Sequence, residues 1–234
     1  MVKSMTQAWD VPHFGYCDEI IMDKLIELRH TLKHTATSKN IKLTYLPFLI
    51  KALSLALSEY PVLNSSLSND QQELLIRGVH NIGIAMDTPR GLIVPNVKSV
   101  QTRSIFDIAY ELNRLQLLAS NGKLDTPDLS DTTFSLSNIG TIGGTYASPV
   151  IPAPNVAIGA LGRLMKVPRY ASTLPGSKHS KNTEDITDPI VPVHIMPVSW
   201  AADHRVIDGA TMARFSNAWK GYIEHPSTML AQLR

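Results

Sequence analysis

The sequence contains a single cysteine, Cys17, among its 234 residues. One cysteine excludes an intramolecular disulfide framework and a cysteine-based metal site. It lies in a strand-like segment, 14–21, which favours a packed small side chain over a nucleophile. No run of 18 apolar residues occurs, so the sequence predicts no transmembrane helix. Residues 1–4 lack the apolar core of a secretory signal, which predicts a mature or trimmed chain.

An excess of charge of one sign is also missing, because the chain has 22 Lys and Arg and 20 Asp and Glu, for a net charge of +2. These charges are interspersed, which argues against a nucleic-acid-binding surface. With 44% hydrophobic and 18% charged residues, the chain has an ordinary globular composition. Its length allows one large domain or two small ones.

Two familiar catalytic motifs are absent. Without HExxH or a cysteine pair, only His30 and His34 have a ligand-like spacing, and a solvated helix face explains them better than a metal. Without G-x-S-x-G, a serine hydrolase is disfavoured, because Ser137 lies inside a strand-like run where a nucleophile would be poorly exposed. The sequence therefore predicts no metal site.

Strand-like and helix-like segments interleave along the chain, and hairpins are frequent among them. This pattern predicts an α/β (α+β) protein with a mixed β-sheet and flanking helices. Thr44 is a plausible N-cap for the second helix, with Pro47 tolerated in its first turn. The predicted helices begin near Asp23, Thr44, Ser104 and Gly209, the predicted strands include 14–21, 133–139, 155–165 and 192–200, and hairpin turns are predicted at 69–71 and 87–90.

Three segments have unusual composition. The helix over 45–57 is apolar nearly all round, so it must be buried in a large core or in a subunit interface. Residues 172–188 are polar and contain Pro and Gly, which predicts a long exposed insertion loop. Residues 1–13 carry few apolar anchors and are predicted to form an arm, which leaves 14–234 as the folded core.

The most informative segment is 203–210, in which His204 precedes an Asp-Gly pair by four residues between a strand and a helix. An imidazole on such a turn is held by backbone on both sides, as a general base must be. Asp208, a short acidic residue just before a helix, is a natural N-cap.

Acyl transfer to a thiol suits these residues best. A free thiol titrates near pH 8.5, so a neutral His204 imidazole would accelerate the reaction by removing its proton. Negative charge then builds on the thioester oxygen, and the Ser137 hydroxyl could donate a hydrogen bond to it. Asn138, beside Ser137, could order the strand end or contact the ligand.

Four segments, 85–88, 91–95, 137–140 and 203–209, resemble the catalytic domain of the dihydrolipoamide acyltransferases. These are the E2 cores of the 2-oxo-acid dehydrogenase complexes. The resemblance covers almost the whole chain and breaks mainly at 172–188. Segments 12–20 and 139–145 look most like the branched-chain member, since the pyruvate members usually carry Met-Phe where this chain has Thr141-Ile142.

The resemblance implies a chloramphenicol-acetyltransferase-like fold that forms trimers. It implies His204 as the base, Ser137 as the oxyanion donor and Asp208 at the second active-site position. Asp208 would either orient the histidine directly or fix its turn through other partners. Thr44 stands where the branched-chain enzyme has serine. The positions implied to line the coenzyme A channel are Arg29, Thr44, Asp87, Gln116, Ser137, Asn138 and Gly162.

The resemblance also implies partners and an activity, that of a dihydrolipoyllysine-residue (2-methylpropanoyl)transferase. The acyl group would move between coenzyme A and dihydrolipoamide, which is carried by a lipoyl domain not in this chain. Residues 1–13 would be the end of a linker, and homotrimers would assemble into a cubic 24-subunit core. The apolar residues in 229–233 are predicted to dock on a partner subunit. E1 decarboxylase and E3 dihydrolipoamide dehydrogenase would bind through other domains, in the mitochondrial matrix or in a bacterial cytoplasm.

Three alternatives stay open at this point. The chain could be an E2 core of the pyruvate or 2-oxoglutarate type. It could be a chloramphenicol-acetyltransferase-like O-acetyltransferase, which shares the fold and the HxxxDG segment. It could also be a silent scaffold, although the retention of His204 argues for activity.

Overall fold

The structure is a computed structural model that describes residues 6, 8–68, 70–89, 91–174 and 188–232. The helices are α1 (Asp23–Ser38), α2 (Leu46–Glu59), α3 (Ile105–Ser120), α4 (Thr126–Leu129) and α5 (Gly209–Glu224). The strands are β1 (His13–Ile21), β2 (Ser65–Leu67), β3 (Leu74–Ile76), β4 (Ile82–Thr88), β5 (Gly91–Ile93), β6 (Asn96–Val97), β7 (Phe134–Asn138), β8 (Ala157–Leu161), β9 (Met165–Tyr170) and β10 (Ile190–Asp203). Short 3-10 turns occupy Pro61–Asn64, Val100–Thr102, Ile139–Thr141, Ala171–Thr173 and Pro226–Gln232.

The main sheet is mixed, as the sequence predicts. Its strands follow the order β1-β10-β8-β7-β4-β5, with β6 paired to β4 and β9 paired to β10. The neighbours β4, β7 and β8 are parallel, whereas the other pairs are antiparallel. Strands β2 and β3 form a separate antiparallel hairpin. The carboxyl ends of β4, β7 and β8 therefore meet at one edge of the sheet.

The two faces of the sheet differ in side-chain size. Residues paired across neighbouring strands share a face, so the register defines rows. One row, Ile84, Leu136, Gly159 and Trp200, lies on the face that packs with the helices. The next row, Ala85, Ser137, Ala160 and Ser199, lies on the opposite face. Ser137 thus lies between two alanines, away from the main core.

Aromatic side chains fill the space between the sheet and α5. Trp200 contacts Trp219 and Phe215 edge-on, with ring centroids 5.0 and 5.2 Å apart. A β-carbon at position 159 would lie 2.4 Å from Cζ3 of Trp200, which explains the glycine there. On the face of α5 that meets the sheet, Met212, Phe215 and Trp219 are fully buried.

The apolar helix α2 is buried by its own chain. Ten of its residues are buried, and it packs against α3 and α5. Lys51 is buried as well, and its ammonium donates to the carbonyl of Arg103 at 2.8 Å and to two further carbonyls. Of the two environments that the sequence allows, a large core or a subunit interface, the structure contains the large core.

Two predictions about local structure are wrong. The N-cap of α2 is Tyr45, not Thr44, and no side chain caps this helix; Pro47 does lie in its first turn. Cys17 is exposed on β1, with its Sγ 3.5 Å from Oγ of Ser199, so it is not a packed side chain. The reason is the strand's position, since β1 forms one end of the sheet order and Cys17 lies on its small-residue face.

The structure covers three further predictions in whole or in part: the start of α3, the insertion loop 172–188 and the arm 1–13. The helix start predicted near Ser104 is confirmed, because Ser104 is the N-cap of α3 and exchanges hydrogen bonds with Asp107 in a capping box. Of the predicted insertion loop 172–188, residues 175–187 lie outside the described residues, while Ser172 donates from its backbone and its hydroxyl to the Asp188 carboxylate. In the predicted arm, Ala8 is fully buried. None of the described helices has the length and apolarity needed to cross a membrane.

Candidate active site

His204 lies on the turn between β10 and α5. This turn is at the edge of the sheet where β8 begins, opposite to the edge where β8 ends. Its backbone N–H donates to the carbonyl of Pro12 at 2.9 Å, and its ring meets Phe14 edge-on with centroids 4.8 Å apart. The side chain is exposed. Within the described part of the chain, neither ring nitrogen has a hydrogen-bond partner. The imidazole is therefore held by its backbone and one ring contact, with both nitrogens free for a substrate.

An ion pair between the buried Asp203 and the exposed Arg205 flanks this histidine. The Asp203 carboxylate accepts from Nη2 of Arg205 at 2.7 Å, from its Nε at 2.9 Å and from its backbone N–H at 3.0 Å. The side-chain hydrogen bonds to Asp203, reinforced by its negative charge, raise the pKa of the Arg205 guanidinium above its usual value. The pair fixes the backbone on both sides of His204.

Asp208 caps α5. Its carboxylate accepts from the backbone N–H of Thr211 at 2.8 Å and from the Thr211 hydroxyl at 2.9 Å. These hydrogen bonds, the backbone one first, lower the pKa of the Asp208 carboxyl. The N-cap predicted from the sequence is thus confirmed, and Asp208 acts on the turn through Thr211 rather than through the imidazole.

The other polar candidates lie at the opposite edge. Ser137 and Asn138 are half-buried at the end of β7, and Asp87 is exposed near the end of β4. Gly162 follows directly after β8, beside Asn138, which pairs with Leu161. The structure therefore brings Asp87, Ser137, Asn138 and Gly162 to one edge of the sheet.

Glycines allow the loop after β7 to close on the strand end of β8. A β-carbon on Gly140 would lie 2.2 Å from the carbonyl oxygen of Gly162, and one on Gly162 would lie 2.1 Å from that of Thr145. The Arg163 N–H donates to the carbonyl of Gly144 at 2.9 Å. Larger residues at 140 or 162 would push the backbone away from the end of Ser137's strand.

His204 and Ser137 are far apart within one chain. Ser137 pairs with Ala160, whereas Ala202, two residues before His204, pairs with Ala157 at the other end of β8. With about 3.3 Å of rise per residue and about 4.8 Å between strands, the two backbone positions are roughly 15–20 Å apart. The two side chains of one copy cannot contact the same small group.

The remaining candidates lie on the helical layer. Nε of Arg29 donates to the carbonyl of Leu43 at 2.9 Å, and its guanidinium carbon lies 4.9 Å from the centroid of the Tyr45 ring. Among the described residues, these are the partners of this guanidinium, so both Nη groups stay available. Thr44 is exposed between them, and Gln116 is exposed on α3. No hydrogen bond in the described residues joins these three side chains to Ser137 or Asp87.

Sequence reasoning missed the residues that hold the histidine. Pro12, Phe14, Asp203 and Arg205 were not singled out as site residues, although the Asp-His-Arg order was a usable signal. The contacts from Pro12 and Phe14 depend on the pairing of β1 with β10, which no local pattern predicts. No group of three or more metal-ligating side chains occurs in the part of the chain that the structure describes.

The sequence matches one family over nearly its whole length. The family model of the 2-oxoacid dehydrogenases acyltransferase (catalytic domain) matches residues 1–231. The lipoamide acyltransferase component of the mitochondrial branched-chain alpha-keto acid dehydrogenase complex is 56% identical in Caenorhabditis elegans and 54% in Mus musculus, over 100% of this chain. The chain spans 49% and 46% of those two proteins, about half their length.

Solved structures have the same fold. The dihydrolipoamide acetyltransferase of Azotobacter vinelandii is similar with a TM-score of 0.88 and 31% identity, over 98% of this chain and 88% of that one. A chloramphenicol acetyltransferase has a TM-score of 0.55 and 12% identity, over 94% of each chain, so it shares the fold alone. The predicted fold class is confirmed. The chain therefore belongs to the family of 2-oxoacid dehydrogenase acyltransferase catalytic domains, and it resembles the two branched-chain relatives at 54–56% identity.

Proposed function

We propose that this chain is the catalytic core of an acyltransferase that moves a branched-chain acyl group between dihydrolipoamide and coenzyme A. The observation that carries the proposal is the exposed His204 imidazole, held through its backbone and with both ring nitrogens free within the described residues. This is the arrangement that a general base needs before its substrate binds.

In the proposed reaction, His204 removes the proton of the attacking thiol. The thiolate attacks the thioester carbonyl, and charge develops on the carbonyl oxygen. The Ser137 hydroxyl donates a hydrogen bond to that oxygen, and the imidazolium then returns its proton to the departing thiolate. Asp208 maintains the start of α5 through Thr211 and so keeps the turn in place.

The proposed site is built from two copies of the chain. His204 and Ser137 lie at opposite edges of one sheet, roughly 15–20 Å apart by strand geometry. Both can act on one carbonyl only if His204 of one copy meets Ser137 of another. A closed ring of such head-to-tail contacts is a homotrimer or another cyclic assembly, and the homotrimer implied by the family resemblance fits this requirement.

Coenzyme A is proposed to bind along the edge of Ser137. Arg29 keeps both Nη groups available for a phosphate, since its Nε alone binds Leu43. Asp87, Asn138 and Gly162 line the same sheet edge as Ser137 and would surround the thiol end. Thr44 and Gln116 are exposed on the helical layer and complete the proposed channel.

A comparison of spacing supports these roles. The Azotobacter vinelandii structure was solved to investigate a serine, a histidine and an asparagine in catalysis, the last two four residues apart. His204 and Asp208 have the same spacing. The serine and histidine are 52 residues apart there and 67 here, and the difference of 15 is close to the length of the insertion at 172–188.

The branched-chain assignment rests on identity. The branched-chain relatives are 48–56% identical to this chain, whereas pyruvate dehydrogenase acetyltransferase components from Staphylococcus are 37–38% identical. We propose that the chain works in the mitochondrial matrix, in a cubic core of trimers. E1 decarboxylase, E3 dihydrolipoamide dehydrogenase and the lipoyl domain would be supplied by parts of the complex outside this chain.

Substitution of the base tests the proposal. His204→Ala should lower acyl transfer from isobutyryl-CoA to dihydrolipoamide by roughly 100- to 10,000-fold, the usual contribution of a general base. Coenzyme A binding, measured by calorimetry, should be largely retained. His30→Ala, which removes an exposed histidine from α1, is the matched control and should leave the rate unchanged.

Two results would contradict the proposal. A His204→Ala protein with more than half of the normal turnover cannot use His204 as its base. A strong preference for acetyl-CoA over isobutyryl-CoA would overturn the branched-chain assignment. Isobutyryl is two carbons larger, each is worth about 1–3 kcal/mol in a fitted pocket, and a pocket of that size should not favour the smaller group.

A further inference from the structure

We propose that Asp203 and Arg205 are positioning residues for His204: their ion pair fixes the turn that carries the imidazole and cancels the carboxylate charge beside it. This inference rests on the acyltransferase function proposed above, with His204 as the base.

Asp203 uses its polar atoms to define the turn. Its backbone N–H donates to the carbonyl of Val156 at 2.8 Å, and its own carbonyl accepts from Val206 at 3.0 Å and Ile207 at 2.9 Å. Its carboxylate accepts from the backbone N–H, Nε and Nη2 of Arg205. A neutral side chain could accept the backbone hydrogen bond, but only a carboxylate matches the planar fork of a guanidinium.

His204 has few restraints of its own. One backbone hydrogen bond to Pro12 and the edge contact with Phe14 hold it, and its ring nitrogens have no partner in the described residues. The direction of the imidazole therefore follows from the orientation of its backbone. Asp203 and Arg205, the residues on either side, set that orientation.

The pair also has an electrostatic effect. The Asp203 side chain is 4% exposed and that of Arg205 is 33% exposed, so water screens the carboxylate poorly. An uncompensated carboxylate next to His204 would stabilise the imidazolium, and an imidazole that already carries a proton cannot remove one from a thiol. Arg205 supplies the compensating positive charge.

Other titratable and charged groups near this turn have partners outside the Asp203–Arg205 pair. His13 on β1 is opposite Asp203 in the strand register, and its Nε2 accepts from the Ile151 N–H at 3.0 Å. Asp208 binds Thr211 at the start of α5, and Arg214, one turn further, lies close enough to act on the Asp208 carboxyl. Variants at 203 and 205 leave these groups in place.

Single substitutions should move the pH profile in opposite directions. Arg205→Gln leaves the Asp203 charge uncompensated, so the acidic limb of log kcat against pH should move to higher pH by roughly half to one pH unit. Asp203→Asn leaves the Arg205 charge, so the limb should move to lower pH by a similar amount. Both variants should also lose roughly 10- to 100-fold in plateau kcat because the base is less well oriented.

Three controls separate charge from structure. The double variant Asp203→Asn with Arg205→Gln should return the limb to its original pH. Arg205→Lys keeps the charge but loses the fork, so it should lower kcat and leave the limb in place. Arg169→Gln breaks a pair of similar geometry with Glu19, 2.7 Å long and on other strands, and should not move the limb.

The positioning role is overturned if the acidic limb of the pH profile stays in place in Arg205→Gln and Asp203→Asn, or moves in the same direction in both. This holds even when His204→Ala is inactive. Retained activity in His204→Ala overturns the proposed function itself. Each variant is checked by thermal unfolding and sedimentation. If Asp203→Asn fails to fold, Arg205→Gln and Arg205→Lys decide: a limb that moves in the first and not in the second supports the proposal, and any other result rejects it.

Discussion

At the scale of single residues, a serine hydroxyl is useful to catalysis when it lies where charge develops. Ser137 is half-buried at the end of β7, between Ala85 and Ala160 on the neighbouring strands. The small neighbours leave room above its hydroxyl. Ser135, two residues earlier on the same face, is 3% exposed, and its Oγ has no hydrogen-bond partner among the residues that the structure describes.

These two serines give a matched pair of variants. Ser137→Ala should lower kcat by roughly 100-fold with little change in KM, because the hydroxyl acts mainly on the transition state. Ser135→Ala, on the same strand and face, should leave both constants unchanged. The measurement is steady-state acyl transfer over a range of acyl-CoA concentrations. A raised KM with unchanged kcat in Ser137→Ala would make Ser137 a binding residue only.

At the scale of elements, α2 couples an apolar surface to a small buried polar cluster. Its Ser54 hydroxyl and Nδ1 of His80 are 2.7 Å apart, and the backbone N–H of His80 donates to Oε1 of Gln101 at 3.0 Å. Burial, reinforced by the charge of Lys51, lowers the pKa of His80 to about 4. The folded protein therefore keeps His80 neutral at pH values where the unfolded chain protonates it.

This cluster predicts a dependence of stability on pH. The stabilisation from a neutral His80 is complete above about pH 6.5, falls as pH decreases and is lost by about pH 4, for a total of about 3 kcal/mol. Urea unfolding between pH 4 and 7 measures it. His80→Gln should flatten this part of the stability curve, whereas His30→Gln, at an exposed position, should not. An unchanged slope in His80→Gln would contradict the assignment.

At the scale of the whole molecule, the sheet separates His204 from Ser137, so the proposed site needs two copies. The His204→Ala and Ser137→Ala proteins, each with strongly reduced activity, should therefore regain activity when they are mixed after dissociation and allowed to reassemble. In a random mixture about one site in four combines both intact residues, so the expected rate is up to about a quarter of the original. Mixing without reassembly is the control. No recovery in confirmed hybrids would place both residues in one copy.

The C-terminal segment allows a second prediction about assembly. Met229 is 4% exposed and packs in the core of its own chain, so only part of the predicted apolar anchor is free. Leu230 is 67% exposed, and Leu233 lies outside the described residues. A chain ending at Met229 should keep its fold and the proposed trimers but lose the proposed cubic core. Sedimentation decides: a truncated protein that still forms the complete assembly rules this anchor out.

Local patterns were enough to predict most elements. The helix starts predicted near Ser104 and Gly209 depend only on neighbouring residues, and both are confirmed. The N-cap role of Asp208 is local for the same reason. Thr44 shows the limit of such reasoning, because a favourable residue type was present but Tyr45 occupies the cap.

The sequence by itself determined the mixed α/β class, the strand-turn-helix segment around His204 and the family, because these depend on local spacing and on similarity along the chain. Tertiary structure alone decided the rest. The pairing of β1 with β10 brings Pro12 and Phe14 to His204, and the pairing of β7 with β4 and β8 collects Ser137, Asp87 and Gly162 at one edge. The distances between these side chains depend on the order of the strands in the sheet. That order results from contacts between residues far apart in the chain, so no local sequence pattern predicts it.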